Sequence, residues 1–203
     1  MMKKIFNVTD VTKATDELLK ATENPRHRKI LKNFRRHAML EVAGRWPEIL
    51  VPEMTIPHPV YRIYEAGKLM ILDGMNDVRN FYRTMAESGA NVFGPIEEVV
   101  MVSDWGLAIE SYFGGHVKGS ALIAMGEDVD DPDAYYNVTR WIASFWPYNE
   151  DCILIGEHIY ENFGSREITK LDPEDVITPE MARKILDPLL DMPPEQQPEW
   201  LRY

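Results

Sequence analysis

Cysteine is nearly missing from this chain, which holds one in 203 residues, Cys152. That count excludes an intrachain disulfide and leaves no thiolate set for a zinc site. Cys152 sits in the apolar run CILI and reads as a core residue. Long hydrophobic runs are missing too: nowhere do eighteen apolar residues follow one another, so no transmembrane helix is expected. The opening MMKKIFNVTD carries two lysines without the apolar stretch of a signal peptide, which predicts a cytoplasmic protein. Positive charge is in deficit, 22 Lys and Arg against 33 Asp and Glu, a formal net charge of −11. Phosphate affinity requires a positive surface that releases counterions, so neither nucleic acid nor an anionic membrane is an expected partner.

Motifs for the commonest cofactor and hydrolase chemistries are also lacking. There is no nucleotide-binding glycine pattern, no Gly-x-Ser-x-Gly elbow and no His-Glu-x-x-His pair. The acidic stretch EDVDDPD, residues 127–133, lacks the glycine and distal glutamate of a calcium loop and reads as a surface hairpin loop. The basic stretch RHRKILKNFRR, residues 26–36, places most of its charges opposite Ile30, Phe34 and Ala38, as a solvated helix face does. No cofactor and no metal are expected. A metal-dependent alternative would need His58, His116 and His158 to converge.

What is present is enough apolar material, 45% of the chain, for one self-sufficient domain. Asn24-Pro25 is a helix start, with a capping side chain and a ring preset for the first turn, and the helix should run to about Arg45. A shorter helix, from Val11 to Lys20, precedes it. Four prolines in WPEILVPEMTIPHP exclude a long helix there. YRIYEAG and KLMILDG read as short strands. From Met75 to Glu87, Val78, Phe81, Tyr82 and Met85 recur at helical spacing. The period then changes to that of strands in IEEVVMVSD, WGLAIESYFGGHVKG, YYNVTRWIASFWPY and CILIGEHIYEN, four successive long strands predicting an antiparallel meander. Thr178-Pro179 opens a last helix to about Asp191. The tail MPPEQQPEWLRY reads as a cap for a cavity or for a partner subunit. The fold class is α+β.

Helices, a short strand pair, a third helix and a long bent meander follow the order of the nuclear transport factor two-like superfamily. In the last strand Gly156, Glu157, His158, Ile159 and Tyr160 resemble the Gly, Glu-His-x-Tyr ending of its SnoaL-like branch. Where family members often carry Asp two positions after the Tyr, this chain has Asn162. The resemblance spans roughly residues 26–163. It implies a cone-shaped curved sheet packed by three helices around a cavity, with an N-terminal helical extension (1–24), the cavity domain (25–165) and a C-terminal helix and tail (166–203). It also implies a homodimer or higher homo-oligomer. The family includes isomerases, dehydratases, cyclases, epoxide hydrolases and lyases that deformylate lignin-derived aromatic dimers, beside non-catalytic modules, so the site must decide.

Acid–base groups are the chemistry on offer. His58, fixed between Pro57 and Pro59, is a candidate base or a structural turn. Tyr61 follows as a phenol donor. Arg79, at the margin of the third helix's apolar stripe, is either an oxyanion stabiliser or a surface ion-pair former. His116 follows Gly114-Gly115, where a bulge would turn it to the face of Leu107 and Phe113. Asp104 is a hairpin residue that could orient a histidine or act as a base. His37 and Glu41, four apart on the first long helix, could pair on its core side, as a structural pair or, less expected, a catalytic dyad. Tyr82, Trp141, Phe145, His158 and Tyr160 would line a cavity for a hydrophobic aromatic small molecule. The reading is a cofactor-independent lyase performing elimination or retro-aldol-type cleavage. An isomerase, dehydratase or polyketide cyclase, and a non-catalytic ligand-binding or assembly module, are the alternatives.

Overall fold

A computed structural model describes residues 5–202. Met1, Met2, Lys3, Lys4 and Tyr203 lie outside the described residues, and with them the ends of the amino-terminal and tail readings.

The chain begins with α1 (Lys13–Ala21) and α2 (Pro25–Val42). Asn24 caps α2 as its sequence requires, its side chain accepting hydrogen bonds from the Arg26 and His27 amides. The helix buries Ile30, Leu31, Phe34, His37 and Leu40, the stripe that period 3.6 demands. Two strands follow, β1 (Val60–Glu65) and β2 (Lys68–Asp73), then α3 (Met75–Glu87). Next come β3 (Phe93–Val102), β4 (Gly106–Lys118), a short α4 (Gly119–Met125) and β5 (Tyr135–Pro147). The remainder is β6 (His158–Glu161), β7 (Glu167–Lys170), α5 (Pro179–Leu190) and α6 (Glu199–Arg202).

The strands form one sheet in the order β2-β1-β6-β5-β4-β3, with β7 also pairing β5. All pairs are antiparallel except β1 with β6. The meander expected from the sequence therefore has three long strands, and the fourth is shortened. Residues 152–157 leave the ladder because their backbone bonds to the proline-rich segment and β1: Leu154 N to Met54 O, Ile56 N to Leu154 O, and Val60 N to Ile155 O. Gly156 makes this approach possible, since a Cβ there would lie 1.9 Å from the Val60 carbonyl oxygen.

The bulge expected at Gly114-Gly115 lies elsewhere. The β4–β5 ladder runs unbroken from Gly106↔Pro147 to Lys118↔Tyr135, and the irregularity sits in β3 between Pro95 and Glu97. Proline has no amide proton for the ladder, which is a sufficient reason for the slip to fall there. His116 consequently stays on the face of β4 opposite Gly115 and Val117.

The basic stretch on α2 is a set of clips rather than a solvated face. Arg26 donates to the carbonyls of Asp104, Asn149 and Glu150 in two turns. Arg28 donates to the carbonyls of Leu19, Thr22 and Trp200. Arg35 pairs with Asp16 and Arg36 with Glu48. The tail's Trp200 lies under Lys20 and Arg35, against α1 and α2 and away from the cavity. Cys152 is buried, in a left-handed backbone conformation. No helix among the described residues is long and apolar enough to cross a membrane.

Candidate functional site

Between the helices and the concave face of the sheet lies a cavity of about 380 Å³. Its apolar wall includes Phe34 of α2, Phe81 of α3, Phe93 of β3, Phe113 of β4 and Trp146 of β5. Strand alternation decides who faces in: Val138, Arg140, Ile142, Ser144 and Trp146 line it from β5, and their neighbours do not.

At one wall the cavity meets a buried polar cluster. Glu41 of α2 and Glu157, just before β6, both line the cavity. His37, fully buried one turn before Glu41, stands behind them, its Nε2 3.1 Å from Glu157 Oε1 and 3.6 Å from Glu41 Oε2. The Tyr82 hydroxyl donates to Glu157 Oε1 at 2.7 Å and lies 2.8 Å from His37 Nε2. The Tyr61 hydroxyl is 3.4 Å from that of Tyr82. Because the Tyr82 proton goes to Glu157, its oxygen accepts the His37 Nε2 proton, which fixes that nitrogen as a donor. The ring also stands edge-on to Trp146, and Nδ1 is buried without a partner.

Electrostatics follow from that packing. Burial by itself disfavours the charged imidazole, but Glu157 and Glu41 outweigh it and raise His37 to about 9. Burial, with Glu157 and Glu65 nearby, raises Glu41, although His37 pulls the other way. Burial first and Glu157 second push the phenols of Tyr61 and Tyr82 well up, so both remain proton donors. The arrangement is a cation held between two carboxylates, one of them with enhanced basicity, at the edge of an apolar chamber.

Elsewhere on the wall, Arg140 pairs with Glu65 at 3.2 Å, and Arg166 pairs with Glu161 at 2.9 Å and with Glu127 at 3.1 Å. Glu98 of β3 lines the cavity as well. Its Oε2 is buried without a hydrogen-bond partner, and burial alone raises it to about 7.

Of the residues singled out from the sequence, Tyr61 and Tyr82 enter this cluster. His58 is an exposed turn residue, bonded to Asp73 at 2.8 Å, with its ring against Gly74 at the start of α3. Arg79 is exposed on α3 and outside the cavity. Asp104 is exposed and bonds His27 at 2.9 Å. His116 is buried on the other face of β4, where its Nδ1 accepts the Ile177 amide at 3.0 Å. Trp141, Phe145 and Tyr160 lie on the outer face of the sheet, each more than a third exposed. His158 also faces away, its Nε2 accepting from Arg62 at 2.6 Å, and burial with Arg62 lowers it. His58, His116 and His158 do not converge, and no group of three potential metal ligands occurs among the described residues.

Glu98 and Glu157 were missed as candidates. The signal for Glu157 was a carboxylate ending the apolar run CILIG. The histidine beside it is the more conspicuous ionisable residue, but period two turns it outward.

No protein-family model matches the chain. No curated protein matches it either. Solved structures do. A protein described as a SnoaL-like polyketide cyclase from Jannaschia sp. CCS1 is 12% identical, with a TM-score of 0.50 over 70% of this chain and 90% of that one. SalBIII, an epoxide hydrolase/cyclase-like enzyme in pyran ring formation of the polyether salinomycin, is 10% identical, with a TM-score of 0.46 over 76% and 99%. The fold is thus the SnoaL-like form of the nuclear transport factor two-like architecture.

Proposed function

We propose that the protein is an enzyme that moves protons on a hydrophobic, oxygen-bearing small molecule, using its own side chains as acid and base. The observation that carries this reading is the Glu41–His37–Glu157 cluster at the wall of an otherwise apolar cavity. Buried ion clusters seldom stabilise a fold better than apolar packing, whereas a carboxylate with raised basicity beside a fixed cation is equipped to act as a general base. Glu41 is the base, facing the substrate. Glu157, oriented by Tyr82 and His37, holds the imidazole in place and disperses the charge that changes when Glu41 takes a proton.

Elimination or retro-aldol-type cleavage is the reaction we favour, with cyclisation and isomerisation using the same groups. The five aromatic rings of the wall suit an aromatic, hydroxylated substrate, and the volume suits a single small molecule rather than a polymer. A ligand carrier on the same fold would keep its function when Glu41 loses its basicity.

The test is incubation with a panel of hydroxylated diaryl and polycyclic compounds, following ultraviolet absorbance for new conjugation and released formaldehyde for cleavage. Turnover that falls about 10²- to 10⁴-fold in Glu41→Gln, with ligand binding kept, is the expected result. Binding without turnover across the panel would leave the carrier reading in its place.

A further inference from the structure

Within the cavity, the carboxylates divide into those with partners and one without. Glu41 and Glu157 share His37, and Glu65 pairs with Arg140. Glu98 projects from β3 just past the Pro95/Glu97 irregularity, so the slip in register is what turns a carboxylate inward among Phe93, Phe113 and Ile109. Its Oε2 is buried and unpartnered, a state that native structures rarely tolerate without a use. The neighbouring Glu97, on the same strand, is exposed.

We propose that Glu98 is a second catalytic group, a carboxylic acid that donates a hydrogen bond, and in the reaction its proton, to a neutral oxygen of the bound substrate. The proposal rests on the acid–base reading of the cavity and adds to it the acid that the base requires. In an elimination, Glu41 removes a proton from carbon, the C–H pair becomes the new C=C bond, and the C–O bond breaks. The leaving oxygen takes the Glu98 proton and departs as water. Glu41 is then protonated and Glu98 ionised, and exchange with solvent restores both. The charged groups on the surrounding elements are Glu41 with His37 behind it on α2, Glu65 on β1, Arg140 on β5, Glu157 before β6 and Arg166 after it. Burial is what raises Glu98 among them.

The probe is 2-acetylnaphthalene, an apolar aromatic ketone whose oxygen can only accept. Its affinity for the full chain, measured by fluorescence or calorimetry, should fall about tenfold between pH 6 and pH 8 as the donor is lost. In Glu98→Gln, whose amide donates at every pH, the dependence should vanish. In Glu98→Leu the affinity should match the weak alkaline wild-type value throughout. A carbon-13 titration of the glutamate carboxyls should show one group ionising near neutrality that Glu98→Gln removes. Ketone binding that is flat with pH in the wild type, or that keeps its slope in Glu98→Gln, overturns the role of Glu98 and leaves the Glu41 base standing. No ketone binding at any pH overturns the small-molecule reading together with it.

Discussion

His37 and His116 are both fully buried, one on α2 at the cavity wall, the other on β4 facing away from it. The first has two carboxylates and a phenol around Nε2 and is raised to about 9. The second has one backbone amide at Nδ1, the edge of Phe6 at 4.8 Å between ring centroids and no partner at Nε2, and burial lowers it to about 4. Equal burial thus yields a cation in one place and a neutral ring in the other. Composition cannot distinguish the two: apart from Glu41, four positions along, the groups that do so lie 45 and 120 positions away from His37 and 61 positions away from His116.

The strongest way to break the comparison is His37→Ala. It leaves Glu41 and Glu157 buried without their cation, and urea denaturation should show a loss of about 3–5 kcal/mol. Next is pH. The folded value of His37 lies above the usual 6.5, so its contribution, about 3 kcal/mol, is present below pH 6.5 and lost as pH rises through 9. The folded value of His116 lies below 6.5, so its contribution, about 3 kcal/mol, is present above that pH and lost as pH falls towards 4. Glu98 opposes His116 in the acid window, because a raised carboxyl favours the folded state as it protonates. The difference between wild type and His116→Phe from pH 7 to pH 4 therefore isolates the His116 slope. A difference that stays level would mean that His116 is charged in the folded protein. The smallest effect is Tyr82→Phe, which removes the donor to Glu157 and the acceptor for His37, and should cost about 1–2 kcal/mol in the same denaturation assay.

Much of the fold was readable because its signals are local. Asn24-Pro25, Thr178-Pro179 and the 3.6-residue spacing of Val78 and Tyr82 each mark a helix within one turn. The site was readable only in its local half. His37 and Glu41, four apart on one helix face, appeared as a pair, Tyr61 as a phenol donor and Tyr82 as a cavity-lining aromatic. Glu157 and Glu98 were hidden by register. At Glu157 the choice between two adjacent residues depends on which backbone the chain pairs with, and at Glu98 it depends on a slip placed by Pro95. His116 failed for the same reason, since the first of the two glycines that suggested a bulge, Gly114, is needed under Phe6, where an added Cβ would lie 3.3 Å from the ring, and the ladder runs unbroken through both.

Arg26 gives the assembly an order in time. Helix α2 can form from its own sequence, capped by Asn24, while the acceptors for the Arg26 guanidinium do not yet exist. They are carbonyls 78, 123 and 124 positions further on, in turns that close only when β3–β4 and β5–β6 have formed. Bonds between such distant partners form late in folding and must be broken early in unfolding. The residue at the start of the second helix is therefore expected to act as a latch on the lifetime of the folded state, more than on the speed at which that state is reached.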